Sequence, residues 1–333
     1  MPTIGIHESV GAVFPPESLR EALSDVDAEL RIVSTDDLDD CAALVTFAYD
    51  ERFLEADLEW IHSIQAGVDR FPFEALEAAG IALTNSTGIH GDTVGETTLG
   101  YMLSFARGLH RYRDRERDRE WSRPPYDRPF SLADASVCVV GLGTLGRGIA
   151  TRADALGMDV VGVKRTPTPV DGVETVHPAG DLETAIADAR FVALAVPLTD
   201  ETEGLIGAGE LAAMRSDAVL INVARGPVVD ESALVDALAS DAIGGAALDV
   251  FETEPPDEAP AFESDRIVTS PHHAGLSERS ERRCIEIGID RIVAALSGEN
   301  LGEILNPEVY GTPDELSPER EHWSSGGQTD FST

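Results

Sequence analysis

The stretch Val137-Cys-Val-Val-Gly141-Leu-Gly-Thr-Leu-Gly146 decides how the second half of this 333-residue chain folds. Four apolar residues predict a buried strand, and they run directly into glycines spaced as G-x-G-x-x-G and a sequence suited to a helix. In that context Gly141 permits a tight turn, Gly143 lets a pyrophosphate approach the backbone, and Gly146 lets the helix pack closely on the strand. We therefore predict a nucleotide site at the start of this helix, formed by Gly141, Gly143, Thr144, Leu145 and Gly146.

Short apolar runs alternate with helical patterns on both sides of the glycine motif. Before the motif, apolar runs occupy residues 3–7, 29–33, 43–46, 60–64 and 81–84. From Ser136 onwards, a second series occupies residues 137–140, 160–163, 191–195, 218–223, 244–248 and 267–269. Because strands that alternate with helices form parallel sheets, we predict an α/β protein with two doubly wound domains. The second is a Rossmann-type nucleotide-binding domain, and the first is smaller and flavodoxin-like.

A helical pattern connects the two series. Apolar residues recur with helical spacing over 92–109 and lead into an arginine-rich segment at 107–123, so we predict one long connecting helix. Seven of the 25 basic residues lie in that segment, interleaved with acidic ones. The segment is either a solvated face laced with salt bridges or an interface to another subunit. Residues 277–296 predict a final amphipathic helix, and the polar residues 312–333 predict a flexible tail.

The charge balance excludes several classes of partner. The chain carries 61 acidic and 25 basic residues, a net charge of -36, and Lys164 is its single lysine. Since 42% of the residues are hydrophobic, the acidic excess belongs to a folded surface rather than to a disordered chain. Such a surface indicates a halophilic protein, and it repels nucleic acids and anionic membranes. We therefore expect a small-molecule partner, with no nucleic acid and no membrane binding.

Several other signals are absent from the sequence. Residues 1–13 lack the features of a signal peptide, and no apolar run approaches the roughly 18 residues of a membrane span, so we expect a cytoplasmic protein. Cys41, Cys138 and Cys284 lie far apart, which favours core positions over disulfides or a zinc site. The sequence contains no H-E-x-x-H motif, so we predict no metal. The absence of G-x-S-x-G and G-x-x-x-x-G-K-[ST] argues against a serine hydrolase and a P-loop ATPase.

The end of the next predicted strand bears on the choice of dinucleotide. About 20 residues after the glycine motif, NAD-binding chains place an acidic residue that holds the ribose hydroxyls. Here the strand ends in Lys164-Arg165-Thr166, two cations and a hydroxyl, which suit the 2′-phosphate of NADP. We therefore predict NADP as the cofactor. NAD is the alternative, in which Lys164 and Arg165 are ordinary loop charges.

Three polar residues follow the later predicted strands. Arg225, Glu254 and His272 lie in the segments NVARG, FETEP and SPHHA. Because the carboxyl ends of parallel strands meet at one edge of the sheet, where ligands bind, we expect these side chains to converge. Each alone is an ordinary surface charge or loop residue. In this order behind a nucleotide motif, they predict one catalytic site.

These motifs resemble those of the D-isomer specific 2-hydroxyacid dehydrogenases over residues 44–306. The resemblance implies that Arg225, Glu254 and His272 are catalytic and that the protein is a homodimer. It implies a nucleotide-binding Rossmann domain at 97–282 and a discontinuous substrate domain at 1–96, completed by 283–306. It also extends the expected cofactor site to Pro197, Thr202, Val223 and Asp249.

The chemistry of 2-oxoacid reduction suits these residue types. The planar guanidinium of Arg225 can bind the substrate carboxylate and polarise the carbonyl. His272 can protonate the carbonyl oxygen as hydride arrives, and a neighbouring carboxylate at Glu254 favours the protonated imidazole. His273 is a rival proton donor, but the Pro-His pattern of the family selects His272.

The first domain contributes predicted substrate contacts. Residues 63–69 are similar to the family's substrate loop, in which backbone N–H groups at Gly67 and Val68 hold the carboxylate; the alternative is a plain strand-to-helix turn. Tyr49 is a candidate wall of the pocket, and Trp121 is either a contact to a partner's site or a packed interface aromatic. With only four basic residues in the first hundred, we expect a small unphosphorylated 2-oxoacid such as glyoxylate, hydroxypyruvate or pyruvate.

A second class of function shares this fold. Some relatives are nucleotide-sensing corepressors that keep the same catalytic triplet, so the triplet alone does not distinguish an enzyme from an interaction protein. The acidic sequence and its lack of an apolar docking segment favour the enzyme. We therefore predict an NAD(P)-dependent 2-ketoacid reductase, with a nucleotide-sensing interaction protein as the alternative.

Overall fold

The computed structural model describes residues 2–24, 26–125, 129–256, 266–277 and 279–296. The predicted tail at 312–333 and residues 297–306 of the predicted substrate domain lie outside these described residues. The chain divides into two compact units. Unit 1 comprises Met1–Ile89 and Glu278–Thr333, and unit 2 comprises His90–Ser277.

Unit 1 is built on a five-stranded sheet. Its strands are β1 (Thr3–His7), β2 (Glu29–Val33), β3 (Ala43–Thr46), β4 (Trp60–Ser63) and β5 (Ala82–Asn85). All neighbours pair in parallel, in the order β2-β1-β3-β4-β5. This is the strand order of flavodoxin-like sheets, so the predicted class of the first domain is confirmed.

Helices from both ends of the chain pack on this sheet. They are α1 (Pro16–Ala22), α2 (Phe73–Ala79) and a final helix (Ser280–Leu296), with 3-10 turns at Glu8–Ala12 and Glu51–Leu54. Cys284 and Ile292 of the final helix lie in the same buried cluster as Trp60 and Leu19. The final helix therefore belongs to the core of unit 1, although the whole of unit 2 precedes it in the sequence.

Unit 2 contains a seven-stranded sheet. Its strands are β6 (Ser136–Val140), β7 (Asp159–Lys164), β8 (Thr175–Pro178), β9 (Phe191–Leu194), β10 (Val219–Asn222), β11 (Gly245–Leu248) and β12 (Ile267–Thr269). All neighbours pair in parallel, in the order β12-β11-β10-β9-β6-β7-β8. The order reverses between β6 and β9, which is the switch point where doubly wound sheets bind ligands. The predicted Rossmann-type class is confirmed.

The sequence predicted six of these strands and missed β8. Thr175–Pro178 lies at the edge of the sheet, and none of its residues is fully buried. An edge strand of this kind does not need a continuous apolar run, so hydrophobic periodicity does not find it.

The helices of unit 2 connect these strands. They are α3 (Gly91–Arg107), α4 (Leu109–Arg117), α5 (Thr144–Ala155), α6 (Leu182–Ile186), α7 (Ala208–Ala213) and α8 (Glu231–Ala239), with 3-10 turns at Ala179–Asp181 and Gly226–Val228. Among the residues that the structure describes, no helix has the length and apolar character needed to cross a membrane.

The prediction of a single connecting helix is wrong. Gly108 adopts a left-handed conformation with φ of 69° and donates its N–H to the last carbonyls of α3, so α3 ends there and α4 begins as a separate helix. The residues of α4 are not buried, and exposed ion pairs join Arg113 to Glu116 and Arg117 to Asp114. These ion pairs agree with the interpretation of segment 107–123 as a solvated face. The alternative, an interface to another subunit, stays a prediction. Trp121 is 98% exposed in the single chain.

The boundaries of the units differ from the predicted domain boundaries. The sequence placed them after residues 96 and 282, whereas the units change after Ile89 and Ser277. The first difference arises because the start of α3, from Gly91 to Gly95, packs on α5. An added Cβ at Gly95 would lie 2.5 Å from the carbonyl oxygen of Gly148, so the two helices are in backbone contact. A boundary at residue 96 would divide this packed pair.

The three cysteines occupy core positions, as predicted. Cys41, Cys138 and Cys284 are all buried and unpaired. Burial raises the pKa of each thiol, to about 12 for Cys138 and about 11 for Cys284. Because the thiolate is the reactive form, the raised pKa lowers the reactivity expected of these buried cysteines.

Candidate active site

The glycine motif forms the tight turn that the sequence predicted. Gly141 follows β6 with a φ of 94°, a left-handed conformation that favours glycine. An added Cβ there would lie 2.7 Å from the carbonyl oxygen of Ala195, and one at Gly146 would lie 1.8 Å from the carbonyl oxygen of Gly141. Neither position accepts a side chain, and α5 therefore starts directly against the end of β6.

The N-terminus of α5 offers space for a phosphate group. Gly143 precedes the helix in an extended conformation and provides no side-chain cap. A Cβ built on Gly143 meets no described atom within 4 Å. The N–H groups of the first turn of a helix, here including those of Thr144 and Leu145, have no partner within the helix, and the helix dipole favours an anion at this end. These residues fit the pyrophosphate of a nicotinamide dinucleotide.

A cationic segment lies beside the glycine turn. The N–H of Gly141 donates to the carbonyl of Val163 at 2.9 Å, so Lys164 is the next residue along β7. Lys164 Nζ donates to the Thr168 hydroxyl at 3.4 Å, and Arg165 is exposed. Since residues 164–170 contain no acidic side chain, the segment carries a net positive charge.

The loops after β9 and β10 hold three more predicted cofactor residues. Thr202 binds its own loop, because its hydroxyl donates to the Pro197 carbonyl at 2.6 Å and accepts the Thr199 N–H at 2.8 Å. Val223 is 5% exposed and packs in the core cluster that contains Val139. Thr202 and Val223 therefore have structural roles, and cofactor contacts at Pro197, Thr202 and Val223 stay predictions.

Two neighbours fix the backbone around Arg225. The side-chain amide of Asn222, at the end of β10, donates to the carbonyl of Arg225 at 2.9 Å and accepts the N–H of Ala224 at 3.0 Å. Gly226 lies against the loop after β11, because an added Cβ would be 1.9 Å from the carbonyl carbon of Phe251. Arg225 is therefore held at the carboxyl edge of the sheet, next to the loop that carries Glu254.

Glu254 and His272 form the closest pair among the predicted catalytic residues. The N–H at Nδ1 of His272 donates to Oε2 of Glu254 at 2.7 Å, and Oε1 of Glu254 accepts the N–H of Phe251 at 3.1 Å. The side chains of His272 and Glu254 are 44% and 32% exposed. Because Nδ1 faces the carboxylate, Nε2 is the nitrogen that can give a proton to a ligand.

His273, the rival proton donor, is engaged elsewhere. Its Nδ1 lies 3.3 Å from Oδ1 of Asp249, and its backbone N–H donates to the same oxygen at 3.0 Å. The carboxylate of Asp249 is buried and also accepts the Ser270 hydroxyl at 2.5 Å and the Ala274 N–H at 2.9 Å. The carboxylate therefore holds the loop that carries His272, and the predicted cofactor contact of Asp249 stays a prediction.

Glu254 and His272 border a pocket of unit 2. Its volume is about 460 Å³, and Glu254 and His272 line it together with Phe251, Pro255, Pro256, Thr269, Ser270 and Pro271. A mainly apolar wall with two convergent polar groups is typical of a small-molecule site.

The predicted substrate residues of unit 1 lie in loops that follow its strands. Gly67 and Val68 come after β4, and within the described part of the chain their N–H groups have no acceptor. Two successive N–H groups of this kind suit a carboxylate. The ring of Tyr49 packs against Phe53 and Phe71, with centroids 5.9 and 5.6 Å apart. The structure does not bring Tyr49 into contact with a described polar group of the substrate loop.

The sequence did not reveal that Asn222 and Asp249 hold the loops around the predicted catalytic residues, and Asp249 was predicted only as a cofactor contact. Asn222 and Asp249 are 1% and 2% exposed, and each directly follows or ends an apolar strand. A buried polar residue at the end of an apolar strand needs a hydrogen-bond partner within the protein. This requirement was the sequence signal that could have indicated their supporting role. Tyr101 of α3, which contacts Ser270, carried no signal because aromatic residues on a helix face are ordinary core residues.

Comparison with known proteins places these residues in a family. The model of the D-isomer specific 2-hydroxyacid dehydrogenase NAD binding domain matches residues 99–274. Glyoxylate/hydroxypyruvate reductase B of Yersinia pestis (strain Pestoides F) is 33% identical over 269 residues, which cover 79% of this chain and 82% of that protein.

Two solved structures are similar over most of the chain. A D-isomer specific 2-hydroxyacid dehydrogenase from Xanthobacter autotrophicus Py2, in complex with NADPH and MES, is 30% identical with a TM-score of 0.75, covering 88% of this chain and 96% of that one. An NADPH-dependent glyoxylate/hydroxypyruvate reductase from Sinorhizobium meliloti, in complex with NADP and sulfate, is 25% identical with a TM-score of 0.74, covering 90% and 96%. The family match and the identity to the Yersinia protein show that this chain belongs to the D-isomer specific 2-hydroxyacid dehydrogenase family of oxidoreductases.

Proposed function

We propose that this protein reduces small 2-oxoacids to D-2-hydroxyacids, and catalyses the reverse reaction, with a nicotinamide cofactor. The observation that carries the proposal is the 2.7 Å contact between Nδ1 of His272 and Oε2 of Glu254, in the same unit as the glycine turn. Glyoxylate and hydroxypyruvate are the leading substrate candidates, because the Yersinia and Sinorhizobium relatives are named for them.

Three residues of unit 2 have separate roles in this reaction. When bound, the nicotinamide supplies the hydride that the carbonyl carbon receives. Arg225 binds the substrate carboxylate and stabilises the negative charge that develops on the carbonyl oxygen. His272 gives the proton of Nε2 to that oxygen and so completes the hydroxyl group, while Glu254 orients the ring and stabilises its positive charge. In the reverse direction His272 takes the same proton back.

The proposal includes three further features of the protein. The N–H groups of Gly67 and Val68 would hold the substrate carboxylate, and the ring of Tyr49 would line its pocket. The proposal includes a homodimer, which the family resemblance supports. It also includes a halophilic protein of the cytoplasm, and the net charge of -36 with a single lysine supports the adaptation to salt.

We also propose that the preferred cofactor is NADP. Lys164 and Arg165 follow the strand beside the glycine turn, and no acidic side chain between residues 164 and 170 would repel a 2′-phosphate. The two similar solved structures from Xanthobacter and Sinorhizobium hold NADPH and NADP.

The double variant Lys164→Ala/Arg165→Ala is expected to raise the KM for NADPH by about tenfold or more, because charged hydrogen bonds to the 2′-phosphate are lost. The KM for NADH is expected to stay the same, since its ribose hydroxyls carry no charge. Initial rates with each cofactor in high salt measure both values. Arg111→Ala/Arg113→Ala, which removes two exposed charges from α4, is the matched control. A wild-type preference for NADH would make Lys164 and Arg165 ordinary loop charges.

The reaction itself is tested with a panel of glyoxylate, hydroxypyruvate and pyruvate against NADPH and NADH in high salt. We expect oxidation of the cofactor in equal amount to the hydroxyacid formed, and a D configuration where the product is chiral. Tight binding of the nucleotide without turnover of any 2-oxoacid would instead favour the nucleotide-sensing interaction protein.

A further inference from the structure

A partly buried chain of hydrogen bonds joins α3 to the loop that carries His272. The hydroxyl of Tyr101 contacts the hydroxyl of Ser270, which donates to Oδ1 of Asp249 at 2.5 Å. The Asp249 carboxylate then accepts the N–H of His273 at 3.0 Å and that of Ala274 at 2.9 Å. Tyr101 and Asp249 are 7% and 2% exposed. The chain therefore runs from a helix side chain to the residues that flank His272.

The direction of these hydrogen bonds follows from the groups involved. The carboxylate of Asp249 only accepts, so Ser270 gives its proton to that carboxylate. Tyr101 must then be the donor to the Ser270 oxygen. Burial, together with the negative charge of Asp249, raises the pKa of the Tyr101 phenol to about 12. The phenol therefore stays protonated and can donate a hydrogen bond to Ser270.

His272 needs such support because its backbone conformation is unfavourable. Its φ is 48°, in the left-handed region that residues with a Cβ rarely adopt. The N–H of His272 donates to the carbonyl of Asp249 at 2.7 Å. Asp249 therefore restrains this loop through both its carbonyl and its carboxylate.

The end of the same loop is attached to the start of α3. Nδ1 of His90 and the hydroxyl of Thr93 donate to the carbonyl of Gly275 at 2.9 and 3.1 Å. The loop 270–275 is thus fixed to α3 at its first residue, through Tyr101, and at its last. His272 lies between these two attachments.

We propose that Tyr101 is a positioning residue for His272, whose hydroxyl acts through Ser270 and Asp249 to hold the loop 270–275 in the conformation in which Nδ1 of His272 meets Glu254. The expected effect of Tyr101 on catalysis rests on the proposed function. The expected effect of Tyr101 on the conformation of the loop does not. Tyr101 acts on proton donation rather than on cofactor binding, because the glycine turn is shaped by the packing of Gly141 and Gly146.

Tyr101→Phe tests this role, because it removes one oxygen and leaves the packed ring. The matched control is Thr98→Val, which removes a buried hydroxyl one turn earlier on α3 that has no hydrogen-bond partner among the described residues. Hydrogen exchange of the peptide 266–277, read by mass spectrometry, reports on the loop. Steady-state kinetics in H₂O and D₂O report on proton transfer by the intact protein.

In Tyr101→Phe we expect the amides of His273 and Ala274 to exchange at least about fivefold faster. We expect kcat to fall roughly ten- to a hundredfold, as for a small misplacement of a catalytic group, with a larger solvent isotope effect and an unchanged KM for the cofactor. Ser270→Ala is expected to reproduce these changes, whereas Ser270→Thr, which keeps a hydroxyl, is expected to retain most of the activity.

Several outcomes would overturn the inference. Wild-type exchange of the loop and wild-type kcat in Tyr101→Phe would show that the hydroxyl positions nothing. Equal losses in Thr98→Val would assign the effect to general destabilisation of α3. If the wild-type protein turns over no 2-oxoacid, the proposed function fails, and the exchange measurement still decides whether Tyr101 holds the loop.

Discussion

His272→Asn is expected to lower kcat for 2-oxoacid reduction by about a thousandfold, within the range that general acid catalysis supplies. Asparagine tolerates the left-handed conformation that His272 adopts, with φ of 48°, so the backbone of the loop is preserved. Its carboxamide donates a hydrogen bond but cannot transfer a proton to the carbonyl oxygen. Steady-state rates with glyoxylate and the preferred cofactor measure the loss, and the KM for the cofactor is expected to stay near its wild-type value.

The same substitution at the neighbouring residue is the control for this prediction. His273→Asn is expected to lower kcat by less than about tenfold, because Nδ1 of His273 faces the buried carboxylate of Asp249 rather than Glu254. A larger loss in His273→Asn than in His272→Asn would exchange the roles of the two histidines. Equal losses would mean that the loop, and not one imidazole, was disturbed.

The placement of the proposed catalytic residues could be predicted, because strand ends determine where they lie. Arg225, Glu254 and His272 each follow a strand whose apolar run is plain in the sequence, and a parallel sheet brings neighbouring strand ends to one edge whatever the loops contain. The structure accordingly brings Glu254 and His272 to 2.7 Å across 18 residues of sequence. The glycine turn was predictable for a similar reason, since its backbone contacts leave no room for a Cβ at Gly141 or Gly146.

What the sequence did not predict depends on tertiary contacts. The break between α3 and α4 rests on the single residue Gly108, which interrupts no hydrophobic period and is recognised only by its φ of 69°. The family resemblance predicts a cofactor contact at Asp249, but a polar residue at a strand end is equally suited to a loop cap. The hydrogen bonds from Ser270 and Ala274 show that Asp249 caps the loop, and the cofactor contact stays a prediction.

Gly226 is important to the site although it has no side chain, because its backbone packs against the loop that carries Glu254. Gly226 begins the 3-10 turn after Arg225 and packs against the backbone of the next loop. That loop leads from Phe251 to Glu254, and the Phe251 N–H binds the Glu254 carboxylate at 3.1 Å. The spacing between the backbone of Gly226 and the loop from Phe251 to Glu254 therefore determines the relative position of Arg225 and Glu254.

Gly226→Ala is expected to lower kcat/KM for 2-oxoacid reduction by about a hundredfold, although Gly226 has no side chain to contact a ligand. The new Cβ would lie 1.9 Å from the carbonyl carbon of Phe251 and 2.0 Å from its oxygen, so one backbone must move. Rates and thermal unfolding midpoints of the variant measure the two consequences, and overpacking is expected to destabilise it by about 1–3 kcal/mol. Gly209→Ala on α7 is the matched control, since a Cβ there meets no described atom within 4 Å and alanine favours a helix. Near wild-type rates in Gly226→Ala would mean that the spacing of the two loops does not control how Arg225 and Glu254 act together.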